Sequence, residues 1–82
     1  MYFLIFWNKR DRPTYTGVDL VFANSKTEAK SNYKAEHYSP IAAIYGPGDE
    51  TYDLLIADYE ISDDVRAAAR QGEIVNLVKQ QL

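Results

Sequence analysis

Within three residues of this chain, strand chemistry stops and helix chemistry begins. Val18, Leu20 and Phe22 alternate with Gly17, Asp19 and Val21, the period of two that sends neighbouring side chains to opposite faces of a strand. Ser25-Lys26-Thr27-Glu28 follows almost at once. A serine there can accept a hydrogen bond from a first-turn N–H, and a glutamate three residues on can reach back to the serine N–H. Strand and helix therefore lie side by side in one short chain, which predicts an α+β fold.

The rest of the chain extends that reading. Tyr2 to Trp7 is apolar on both alternations, as in a strand that is central or covered on both faces. Asn8 to Pro13 is a polar turn, and Thr14 to Ala23 is the second strand of a hairpin. A helix is expected from Lys26 to His37 with Ala29 and Tyr33 inward, ending by Ser39 because Pro40 disfavours helix before it. Ile41 to Tyr45 reads as a short third strand, and Gly46-Pro47-Gly48 breaks the chain. Residues 52–59 fit two patterns. Tyr52, Leu54 and Ile56 alternate as a strand would, whereas Asp49 could cap a helix facing inward with Tyr52, Leu55, Ile56 and Tyr59. The strand is favoured, because the Gly-Pro-Gly-Asp-Glu stretch suits a hairpin turn. Ser62 or Asp63 then caps a helix with Val65, Ala68 and Ala69 inward. Gly72 ends or kinks it, and Glu73 to Leu82 is expected to form a second short helix with Ile74, Leu77 and Val78 inward. The sum is one domain spanning residues 1–82, in the order β-β-α-β-β-α. Three or four antiparallel strands carry helices packed on one face. This layout resembles that of many small accessory proteins of phages and mobile elements.

Composition excludes several kinds of chemistry. The chain has no cysteine, so disulfides, thiolate nucleophiles and Cys-ligated zinc are ruled out, and a reducing cytoplasm is the expected setting. The apolar start Met1–Trp7 lacks the flanks of a signal peptide and is far shorter than the roughly twenty residues of a membrane span. His37 is the one histidine; it falls at a helix C-terminus, where the dipole favours it, and no partner ligands share its face. Asp and Glu follow Gly48 where a phosphate-binding loop needs Lys and Ser or Thr. No EF-hand spacing or ordered Ser-His-Asp set is present. The expectation is a non-enzymatic protein with no catalytic residue, metal or cofactor.

Charge is the remaining signal. Nine Lys and Arg against twelve Asp and Glu give a net charge of −3, unevenly placed. Residues 1–34 hold six basic and three acidic side chains, residues 35–82 three basic and nine acidic. Seven of those nine acids lie between Asp49 and Asp64, with no Lys or Arg among them. Such asymmetry points to an electrostatic partner, and tyrosines supply interface area with few rotamers. The expected partner-binding residues are Asp49, Glu50, Tyr52, Asp53, Asp58, Tyr59, Glu60, Asp63 and Asp64. They would meet a protein with a basic surface, as a small acidic inhibitor or accessory protein would; a homodimer is a further option. The alternative is nucleic-acid contact through Lys9, Arg10 and Arg12 at the hairpin tip, between Trp7 and Tyr15. The negative net charge disfavours it, and no contact with membrane is expected.

Overall fold

The computed structural model describes residues 1–8, 16–37 and 39–79. These form an α+β domain with a four-stranded antiparallel sheet and three helices, the class the sequence predicts. The strands are β1 (Tyr2–Asn8), β2 (Thr16–Phe22), β3 (Ile41–Tyr45) and β4 (Val75–Asn76), and the helices are α1 (Lys26–Glu36), α2 (Tyr52–Ala57) and α3 (Asp63–Arg70). Across the sheet the order is β3-β1-β2-β4. No helix among the described residues is long and apolar enough to cross a membrane.

β1 is the inner strand that its two-sided apolar pattern requires. Leu4 lies opposite Leu20 on β2 and Tyr45 on β3; Ile5 lies opposite Asp19 and Ile44. The alternation splits the core in two. Leu4, Val18 and Leu20 pack with Tyr52, Tyr59, Ala69 and Leu77 on one face, and Phe3, Ile5 and Val21 pack with Ala29 and Tyr33 on the other. The helices are accordingly shared between the faces, α1 on one and α2 with α3 on the other, where the sequence reading placed them together. A central strand that is apolar on both sides needs cover on both. Each fully buried leucine contributes on the order of 2 kcal/mol.

α1 begins as expected. The Ser25 hydroxyl accepts the Glu28 N–H at 3.1 Å, and Ala29 and Tyr33, one turn apart, are its buried pair. The glutamate does not close the reciprocal half of the capping box; its carboxylate accepts the Asn24 amide at 3.3 Å. His37 closes the helix, donating its N–H to the Tyr33 carbonyl.

Two elements differ from the sequence reading. Residues 52–57 are helical, not extended. Thr51 O accepts the Leu55 N–H, and the i, i+3, i+4 spacing turns Tyr52, Leu55 and Ile56 onto the core. Leu54, which a strand would have placed beside them, is 72% exposed. Adjacent leucines let one segment satisfy both periods, and the helical one buries more.

The segment after α3 is extended, not helical. Gly72 takes φ +99°, a left-handed position that stops the helix while its N–H bonds to Ala69 O. Val75 and Asn76 then pair with Leu20 and Asp19, and the Leu77 N–H donates to Val18 O at 2.8 Å. An open β2 edge would leave backbone groups unpaired, and this segment satisfies them. The element order is therefore β-β-α-β-α-α-β rather than β-β-α-β-β-α.

Candidate functional site

The acidic segment is built by the Gly46–Thr51 turn, α2 and the start of α3. Asp49 belongs to the turn itself. Its carboxylate accepts the Gly46 N–H at 2.8 Å and pairs with Lys26 at 2.9 Å. The Gly46 N–H foremost, and Lys26 after it, hold its pKa below the ordinary carboxylate value. Asp49 is thus a structural residue. The other six acids, Glu50, Asp53, Asp58, Glu60, Asp63 and Asp64, face solvent. None of them forms an ion pair with a described residue. Asp63 and Asp64 lie in the first turn of α3, where the helix dipole favours negative charge, above the Ser62 cap that accepts the Val65 N–H. The nearest cations on α3 are turned elsewhere: Arg66 lies over the Tyr2 ring and Arg70 donates to the Tyr2 hydroxyl.

The two tyrosines expected to serve as contact residues in this segment are core residues. Tyr52 and Tyr59 are each 8% exposed and pack beneath α2 and α3, with Tyr59 edge-on to Phe6 at 6.4 Å. Burial pushes both phenols above their ordinary pKa. The exposed apolar group is Leu54 instead. Leu54 is exposed on α2, and the exposed carboxylates of Glu50, in the turn before the helix, Asp53, and Asp58, its C-cap, flank it in sequence. The alternative cluster Lys9, Arg10 and Arg12 lies outside the described residues.

A second feature escaped the sequence reading. On the α1 face, a cleft of about 440 Å³ is lined by Trp7, Asp19, Tyr33, His37, Ser39 and Asn76, with Ile74 beside them. β2 alternation brings Asp19 to this face, opposite Ile5, where it is 3% exposed. Its Oδ1 accepts the Asn76 amide at 2.9 Å, and that amide also reaches Val18 O. Among the described residues, no lysine or arginine lines the cleft. Tyr33 is fully buried, with its ring stacked on His37 at 4.9 Å. Its hydroxyl has no hydrogen-bond partner among the described residues. Burial, then the negative charge of Asp19, push its pKa up to about 12; Ser39 is close enough to oppose that rise without completing a hydrogen bond of good geometry. The sequence held one clue to this site: Asp19 interrupts an otherwise apolar strand.

Among the described residues, no group of three or more His, Cys, Asp or Glu could hold a metal ion. Comparison of the chain with protein-family models, curated proteins and solved structures found no match.

Proposed function

We propose that this chain is a non-enzymatic protein-binding module, a small acidic inhibitor or accessory protein that docks on a basic surface through α2 and the start of α3. The observation that supports this is the position of Leu54. A leucine 72% exposed is an apolar contact held out to solvent, and it lies in an exposed acidic stretch where Glu50, Asp53 and Asp58 form no ion pair with a described residue. Like-signed charge speeds encounter with an oppositely charged protein, while a desolvated apolar group slows its departure. Leu54 thus takes the anchoring role that the buried Tyr52 and Tyr59 cannot fill.

The test is capture from the native host with tagged wild type, an Asp58→Lys/Asp63→Lys double variant, Leu54→Ala and, as control, Lys30→Glu on the exposed side of α1. A partner with a basic surface should bind wild type and the control. The double variant should lose most of that binding at low salt, and Leu54→Ala should dissociate faster. A partner held equally by all four folded proteins places the docking face elsewhere.

A further inference from the structure

The geometry points to a second, independent site: the Trp7–Asp19–Tyr33–His37 cleft binds a small planar organic cation, such as an amidinium, a guanidinium or an aromatic ammonium. Asp19 carries the argument. A carboxylate taken out of water needs compensation, from a counter-ion or from several donors. Among the described residues one neutral amide, that of Asn76, is its donor, and no described Lys or Arg lines the cleft. Tyr33 gives a second, separate indication, because this residue also lines the cleft and its buried hydroxyl, within reach of the Asp19 charge and of Ser39, has no hydrogen-bond partner among the described residues. Buried polar groups in folded proteins are nearly always paired, and an orphan beside a cleft is open to an incoming donor or acceptor, whether from water or from a ligand.

The walls narrow the ligand class. The Trp7 indole and the His37 ring, which stacks on the buried Tyr33, are flat groups that line the cleft together with Asp19. A flat cation interacts favourably with aromatic faces and carries N–H donors for both the carboxylate and the phenol oxygen. An anion would meet Asp19 unfavourably, and a neutral amide would leave its charge uncompensated. The volume of about 440 Å³ admits a molecule of one aromatic ring with a short polar arm.

Trp7 is the chain's one tryptophan, so its fluorescence reports on the cleft directly. The probes are benzamidinium, its neutral isostere benzamide and the anion benzoate, titrated at one fixed ionic strength. Benzamidinium should give a saturable change in Trp7 emission at a concentration about tenfold or more below any response to benzamide, the ratio expected for one charge-assisted hydrogen bond. Benzoate should give none. Folded Asp19→Asn should lose the preference for the cation, and Tyr33→Phe should weaken benzamidinium binding. Asp58→Lys on the acidic face should bind benzamidinium as wild type does, which separates this site from the docking face. The proposal is overturned if benzamidinium gives no saturable signal, if it binds no better than benzamide, or if folded Asp19→Asn binds it as well. Should Asp19→Asn not fold, the comparison of the three probes on wild type decides by itself.

Discussion

Replacing Tyr33 by Phe removes a single oxygen atom, and the structure says what that oxygen does at high pH. In the unfolded chain the phenol titrates near its ordinary value of 10.0, whereas in the fold burial and the Asp19 charge move it up to about 12. Between those values the unfolded chain gives up its proton while the folded one keeps it. Stability is therefore intact below about pH 10 and drains away as pH rises toward about 12. The two curves separate by one unit of proton binding, so at about pH 11 Tyr33 costs wild type about 1.4 kcal/mol relative to neutral pH. For 82 residues the whole stability is about 4–12 kcal/mol, so such a loss is readily measured. Tyr33→Phe lacks the titrating group, and Tyr52 and Tyr59, whose shifts run the same way, remain in both proteins. Urea denaturation of both proteins at about pH 8, 10 and 11 isolates the effect, because all other titrations cancel in the difference. Tyr33→Phe should equal or exceed wild type at pH 8, since a buried hydroxyl with no hydrogen-bond partner among the described residues contributes nothing that its removal would forfeit. Its advantage should grow by about 1.4 kcal/mol at pH 11. Parallel pH profiles for the two proteins would refute the placement of Tyr33 in a buried, negatively charged setting.

Three further outcomes follow from the core and the caps. Ser25→Ala removes the acceptor for the Glu28 N–H and should cost about 0.5–2 kcal/mol, a fall of several degrees in melting temperature. Leu20→Ala, at a fully buried position between β1 and β4, should cost about 2–5 kcal/mol in denaturant titration, with the m-value unchanged if the fold survives. Gly17→Ala places a methyl where the Trp7 indole lies, so it should shift Trp7 emission and destabilise by about 1–3 kcal/mol; an unaltered emission spectrum would show that the ring does not cover Gly17.

What the sequence disclosed divides along physical lines. Local signals were legible. The Ser25 cap and the Ala29–Tyr33 pair depend on neighbours within a turn, and both stand as read. β1 was legible as an inner strand because its apolar pattern has no polar side. The segment 52–57 was not settled locally. Tyr52, Leu54, Leu55 and Ile56 satisfy both periods, and only the demand of the α2–α3 face for Tyr52 and Leu55 decides between them. β4 was misread for a related reason. Glu73 to Lys79 has a helical apolar spacing, yet what fixes it is the open edge of β2, more than fifty residues away, which no local window contains. The acidic run was visible as composition, but its tyrosines were taken for surface groups because burial is a property of the assembled core. The cleft was least visible of all. Trp7, Asp19, Tyr33, His37 and Asn76 come from four elements, and only Asp19, a carboxylate among apolar neighbours, departs from pattern on its own.

The two-residue β4 carries a kinetic meaning. β1 and β2 pair along seven positions and are neighbours in sequence, so that hairpin closes a short loop and can form early. The tie of β4 to β2 joins residues 57 and 58 positions apart through few bonds. Its closure entropy must be met before it returns any contact energy, so it assembles late and opens first. Amide exchange should therefore be fastest, within the sheet, at Leu77 and slowest at the centre of β1. Asn76, the partner of the buried Asp19, rides on that last strand, so each opening of the edge also uncovers the carboxylate to water.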